Sequence, residues 1–289
     1  MQEIKPFRTI HEQIGVLRNR GLIIKNEETA EQTLKQINYY RLSGYTLTLR
    51  KNDVFYNNIT FDDVLELYDF DSCLRTMIFR LIEHVEISFR AHVAYYHSKH
   101  FGADGYLNNA NFINSDFHNK FIDKFNENMY SDKDGSEIFI KHHKEKYEGS
   151  FPFWVVTELI TFSDISKLYG NLPLYIQKEI AKDNYIATDY HIRNWLRGIN
   201  EIRNICAHFG RLYNRILKFK TVFYKSDVNF GIKNDHVFAD IYALRKLIRD
   251  EKIWRDFMYM LLLTIEKHPF VRLSYLGFPN DWQTILSGI

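Results

Sequence analysis

The chain has 289 residues, 45% of them hydrophobic and 26% charged, with a formal net charge of +2. That length and apolar content support one large domain or two closely packed ones, and the near-neutral total does not by itself point to nucleic acid. Two cysteines, Cys73 and Cys206, exclude a disulfide framework, residues 1–7 lack an apolar signal core, and no stretch approaches the ~18 uninterrupted apolar residues of a membrane span, so a cytoplasmic protein is expected.

Helical patterns dominate in chain order. Residues 9–20 and 28–37 read as two short helices, with Gly21 closing the first. Alternating apolar residues over 45–61, around Lys51-Asn52-Asp53, suggest a small β-hairpin. Thr60 is placed to cap a long helix beginning Phe61-Asp62-Asp63, where the acids suit the positive end of the helix dipole. Leu67, Phe70, Leu74, Met77, Leu81, Val85, Ser88 and His92 keep helical spacing and carry that helix to about residue 100. Residues 101–150 are rich in Asn, Asp and Lys and read as a polar insertion. Helices are then expected over 152–169, 177–182 and 189–217, followed by looser chain over 218–234 and a helical region over 237–266. The run Met258-Tyr259-Met260-Leu261-Leu262-Leu263 suits a buried helix, and Pro269 and Pro279 mark a tail that packs back on the body. The expected fold is all-α in a single domain, with an N-terminal helical part over 1–60, a helical core over 61–289 and at most one small hairpin.

The densest chemistry lies in Arg203-Asn204-Ile205-Cys206-Ala207-His208, continued by Arg211-Leu212-Tyr213-Asn214-Arg215. On one continuous helix, Ile202, Ile205, Phe209, Leu212 and Ile216 would form an apolar stripe, with Asn204, His208, Arg211 and Arg215 on a polar stripe about 100° away. Arg203 would stand roughly 140° from His208, so either it reaches around the helix or a second copy completes the site. An arginine holds phosphate with an always-charged fork and a histidine moves protons near neutral pH, which together equip a protein to cleave RNA without a metal. The plain alternative is a solvated basic face beside a core stripe.

The surrounding charge favours an anion. Over 191–225, Arg193, Arg197, Arg203, Arg211, Arg215, Lys218, Lys220 and Lys225 are opposed only by Glu201; eight minus one leaves +7. Tyr213, Phe219, Phe223 and Tyr224 are interleaved and offer stacking surfaces, with core packing the favoured reading for Phe219 and Phe223. Cys206 would point about 160° from His208 and reads as a small buried helix residue. Arg90 and His97 form a competing Arg–His pair on one helical face. His92, His97, His100 and Asp104, like His142-His143, lack zinc-motif spacing, so neither a metal nor another cofactor is expected. Arg41 is expected to act structurally.

Five blocks of sequence carry a family resemblance. Ile199 to Arg215 resembles the hallmark motif of the Abi-like (abortive-infection) proteins of the HEPN superfamily. Ile37-Asn38-Tyr39-Tyr40-Arg41-Leu42-Ser43-Gly44-Tyr45 resembles their N-terminal signature, and Ile82-Glu83-His84-Val85-Glu86-Ile87-Ser88-Phe89-Arg90 their central helix. Phe151-Pro152-Phe153-Trp154-Val155-Val156-Thr157-Glu158-Leu159 and Leu276-Gly277-Phe278-Pro279-Asn280-Asp281-Trp282 resemble the later blocks. The resemblance implies a HEPN-type helical bundle, active as a homodimer, that cleaves RNA without metal in bacterial antiphage defence. It maps the catalytic pair to Arg203 and His208, with Asn204 as the polar residue beside the arginine. RNA contacts are expected from Arg197, Arg211, Asn214, Arg215 and Lys218. A regulatory small RNA or an antitoxin is the expected partner, with a non-catalytic RNA- or protein-binding role as the alternative and no membrane association.

Overall fold

Thirteen α-helices follow one another in the computed structural model, which describes residue 4 and residues 6–130 and 138–288. They are α1 (Ile10–Asn19), α2 (Glu27–Gln36), α3 (Tyr39–Ser43), α4 (Phe61–Phe101), α5 (Ser115–Tyr130), α6 (Ile138–Lys146), α7 (Phe153–Leu159), α8 (Phe162–Asn171), α9 (Leu174–Asn184), α10 (Asp189–Ala207), α11 (Val237–Leu247), α12 (Glu251–Lys267) and α13 (Trp282–Ser287). Between α3 and α4 sit strands β1 (Arg50–Lys51) and β2 (Val54–Phe55), antiparallel with Arg50 opposite Phe55 and Lys51 opposite Val54. The all-α expectation holds, and the hairpin turns where it was placed. Asn52 and Asp53 both have positive φ, 50° and 63°, as a two-residue hairpin turn of the right hand demands.

Local chemistry sets most helix starts. Thr9 with Glu12, Thr60 with Asp63 and Thr161 with Asp164 each form a reciprocal capping box. Gly21, at φ +90°, takes the left-handed turn that leads the chain out of α1. The Thr161 box also explains one difference from expectation. It starts α8 where one helix over 152–169 was expected, leaving Ile160 extended between α7 and α8. Asp250 likewise accepts from the Lys252 and Ile253 amides, and splits the region over 237–266 into α11 and α12.

α4 is the spine. Its 41 residues extend about 60 Å at ~1.5 Å per residue, and α7, α12, α10, α8, α9 and α11 pack along it. Leu67, Phe70, Leu74, Ile78, Leu81, Val85, Phe89 and Val93 are buried along its core-facing stripe. Residues 101–150 are more than a polar insertion: Tyr106, Phe112, Phe125 and Ile140 are buried and join the core. The tail packs back as expected, burying Leu276, Phe278, Trp282, Ile285 and Leu286. The apolar run in α12 departs from expectation, since Tyr259, Met260, Leu262 and Leu263 are exposed and Leu261 turns inward. Among the described residues no helix is long and apolar enough to cross a membrane.

α11 crosses α10 closely at Gly198, where any Cβ would collide with Oδ1 of Asp240. Asp240 is buried, with Thr221 donating to Oδ1 at 3.3 Å. Burial pushes its carboxyl up to about 8, with Glu201 nearby adding to the rise against the Thr221 bond. The folded state therefore holds this proton more tightly than the unfolded chain. Its contribution to stability is complete below the ordinary carboxylate range and is lost as pH rises through about 8. Stability should fall between pH 4 and pH 8 by up to about 1.4 kcal/mol per pH unit from this group, and Asp240→Asn should flatten that slope. Urea unfolding across the pH range tests it, and an unchanged slope in the variant would refute the assignment.

Candidate active site

α10 stops at Ala207, ten residues short of the helix expected over 189–217. The stop is a Schellman closure: Phe209 N–H donates to the Cys206 carbonyl at 3.0 Å and Gly210 N–H to the Ile205 carbonyl at 2.7 Å. His208 is the C-cap, and Phe209 takes the left-handed position with φ 55°. Glycine usually occupies that position, because a side chain there costs roughly 1–2 kcal/mol. The apolar stripe expected to continue through Phe209 and Ile216 is thus broken, and both are exposed, at 68% and 71%. The polar stripe ends too: His208 stays exposed beside Asn204, while Arg211 and Arg215 lie in the following loop.

That loop is fastened to the N-terminal part by a buried carboxylate. Asp71, on α4, accepts the Leu212 N–H at 3.0 Å and the Tyr213 N–H at 2.7 Å on Oδ1, and the Tyr45 hydroxyl at 2.7 Å on Oδ2. Arg75, one turn on, pairs with Oδ2 and reaches the Gly210 carbonyl at 3.4 Å. Burial raises the Asp71 carboxyl, opposed by Tyr45, Arg75 and the two amides. Arg41 donates to the Phe209 carbonyl and lies 5.6 Å over the Tyr68 ring, which gives it the structural role expected for it.

The loop uses several of the predicted RNA contacts itself. Arg211 lies against Gly44, where a Cβ would come within 3.2 Å of its Nε, and donates to the Tyr213 and Asn214 carbonyls. Asn214, at φ 52°, gives its N–H to the Tyr275 carbonyl at 3.2 Å, and Arg215 donates to the Arg211 carbonyl at 3.1 Å. Tyr213 is buried, which removes it as a stacking surface; Phe219 is 45% exposed, against the core role favoured for it. Glu201 accepts the Lys218 and Phe219 amides at 3.0 Å, and leaves both side chains exposed.

Arg203 faces α4. Its Nε lies 3.8 Å from Glu86 Oε2, and its guanidinium carbon 5.9 Å from the Phe79 ring centroid. Glu86 Oε1 in turn accepts from Arg90 at 2.6 Å. Asn204 is exposed, with its Oδ1 3.5 Å from Arg203 Nη1. The competing pair is excluded, because His97 is fully buried against Phe101, Phe112 and Phe153, and burial drives its imidazole down to about 4. Arg90 pairs with Glu86 instead. Cys206 is buried as expected, its thiol pushed up to about 12 by burial.

His92 bonds Tyr185 and His100 bonds Glu179, so the metal set drawn through them is not assembled. Among the described residues one group has metal-ligand geometry, His11, Glu27 and Glu31; Glu27 is paired with Arg18 and Glu31 with Lys35. Sequence reading missed Asp71 and Glu86. The signal for Asp71 was an acid four residues after Leu67 and three before Leu74, in the middle of the core stripe.

Two substitutions separate anchor from ornament. Asp71→Asn leaves Arg75 buried without its charge partner and should cost about 3–5 kcal/mol in urea unfolding; a loss under about 1 kcal/mol would show that the loop does not depend on it. Phe209→Gly relieves the left-handed strain and should stabilise by up to about 1 kcal/mol, net of added freedom in the unfolded chain. A clear fall in unfolding temperature would mean that the ring packs on the body.

The family profile described as Abi-like protein matches residues 32–214, from α2 through Asn214 of the anchored loop. No curated protein and no solved structure matches the chain. The matched span covers well over half of the chain and takes in Tyr45, Asp71, Arg75, Glu86, Arg203 and His208, and the chain belongs to the Abi-like protein family.

Proposed function

We propose that this protein is a metal-independent endoribonuclease of the HEPN type, acting as a homodimer in abortive infection of phage-attacked bacteria. The observation that carries the reading is the placement of His208. Its imidazole is exposed at the end of α10, on a turn held by Arg41, Arg75 and Asp71, with Asn204 one helical turn before it. A water-accessible imidazole on a held backbone suits proton transfer, which contributes about 10²–10⁴ in rate.

In the reaction, a base takes the proton of a ribose 2′-hydroxyl and that oxygen attacks the adjacent phosphorus. An acid protonates the departing 5′-oxygen, leaving a 2′,3′-cyclic phosphate and a 5′-hydroxyl. DNA lacks the nucleophile and stays intact. Arg203 stabilises the extra negative charge on the phosphorane, and Asn204 orients the imidazole or a phosphate oxygen. Because Arg203 turns toward Glu86 on α4 while His208 lies beyond the helix end, a second copy completes the site, the two His208 side chains sharing the acid and base steps. Arg197, Arg215 and Lys218 hold the RNA backbone, while Arg211 and Asn214 build the loop. A partner antitoxin or small RNA restrains the enzyme until infection.

One observation favours a second reading, that of a non-catalytic RNA-binding protein holding a structured small RNA. Glu86 partly neutralises Arg203 in the single chain.

Incubation with labelled total RNA in EDTA should yield cyclic-phosphate ends, reduced at least about 100-fold in His208→Ala and Arg203→Ala. An excess of His208→Ala chain mixed with wild type should suppress the wild-type rate, because each mixed dimer lacks one of the two His208 side chains that share the acid and base steps. An active monomer would sink the dimeric site. Salt-dependent RNA binding without product, untouched by His208→Ala, would select the second reading.

A further inference from the structure

A second feature lies along the same helix face as His208. On α10, Arg193, Arg197, Asn200 and Asn204 fall within an arc of about 60°. Between this face, α8 and the segment entering α5 runs a cleft of about 600 Å³, a size typical of ligand sites. Lys167, Arg193 and Arg197 line it, with no acidic residue among its lining side chains.

These cations are poorly satisfied. Among the described residues Lys167 and Arg197 have no ion-pair partner, and Arg193 has one long contact, 3.6 Å to Asp189. Arg193 Nε is buried with no hydrogen-bond acceptor. A buried donor without a partner is destabilising, and an incoming anionic oxygen that reached it would satisfy it. The floor, by contrast, is already bonded to itself: Asn171 Oδ1 accepts the Asn114 N–H at 2.7 Å, and its Nδ2 donates to the Asn114 carbonyl at 3.0 Å.

Two aromatic rings stand at the cleft in contact with solvent. Phe117 is 56% and Phe219 45% exposed. Their backbones are fixed, Phe117 N–H by Asn114 Oδ1 at 2.9 Å and Phe219 N–H by Glu201. Exposed rings on held backbones beside poorly paired cations match the combination that binds single-stranded nucleic acid, a stacking platform next to a backbone clamp. Asn200 and Arg193 precede His208 by eight and fifteen residues, or about 12 and 22 Å along the helix axis. One strand can therefore meet both places.

We infer that this cleft seats one unpaired nucleotide of an RNA strand, its base on Phe117 and Phe219 and its phosphates on Lys167, Arg193 and Arg197. The inference rests on the ribonuclease reading and adds to it a subsite that sets which strands reach His208. The enzyme then requires single-stranded substrate at a fixed offset from the cut.

The test uses full-length protein and a fluorescent, cleavage-resistant 2′-O-methyl RNA 12-mer in which a single abasic site is walked through the strand. In wild type, one or two adjacent abasic positions should weaken binding roughly 5- to 150-fold, the effect of one stacked base. In Phe219→Ala, whose unfolding temperature should match wild type, that position-specific penalty should disappear. Lys167→Ala should weaken all strands alike and reduce the salt slope by about one unit. A flat abasic profile in wild type, or an unchanged one in Phe219→Ala, overturns the subsite while leaving the ribonuclease reading intact. AMP binding as tightly as the 12-mer and competing with it would make the cleft a free-nucleotide site, against the proposal. Absence of RNA binding by wild type removes the ribonuclease reading and the subsite together.

Discussion

The buried carboxylate of Asp71 is the joint on which the candidate site depends. It draws together a tyrosine from the N-terminal part, an arginine one turn along the spine helix, and two peptide N–H groups from the loop after His208. Loop backbone brought into a core needs acceptors for its amides, and one anion here satisfies two of them while neutralising Arg75. The arrangement is demanding because each partner covers the others' desolvation cost. Without the carboxylate, the arginine and the amides would be left in a low-dielectric interior.

That joint explains how the N-terminal part shapes a loop some 165 residues later in the chain. Arg41 holds the Phe209 carbonyl, Gly44 makes room for Arg211, and Tyr45 completes the Asp71 cluster. Three residues of one short segment thus shape the turn that presents His208. α3 and the turn that follows it brace the loop after α10.

The turn after α10 carries a local conflict. Phe209 sits where glycine would be free of strain, and its ring faces water. Strain and apolar exposure are tolerated where neighbouring structure over-determines the backbone, as Arg41 and the Schellman bonds do here. On the other side, Glu86 divides its oxygens between Arg203 and Arg90, which fixes the direction of Arg203 toward α4. The two halves of the motif are therefore held by different parts of the spine.

Much was legible in the chain itself. The Thr60 cap, the hairpin turn at Asn52-Asp53 and the length of α4 follow from residues near one another in the chain, and local signals of this kind need no tertiary partner. The motif Arg203 to His208 was legible as residues, as was the +7 stretch around it. The end of α10 was not. Helical spacing of Leu212 and Ile216 imitated a continuing helix, but Asp71 offered the 212 and 213 amides a better acceptor than the carbonyls four residues back. The uses of Arg211, Glu86 and Arg193 were equally out of reach, because each depends on a residue between 25 and about 170 positions distant. Sequence alone determined which groups are present and where the spine helix begins. Tertiary contacts decided which of those groups face the solvent, since burial and long-range hydrogen bonding are properties of neighbours that the linear order does not name.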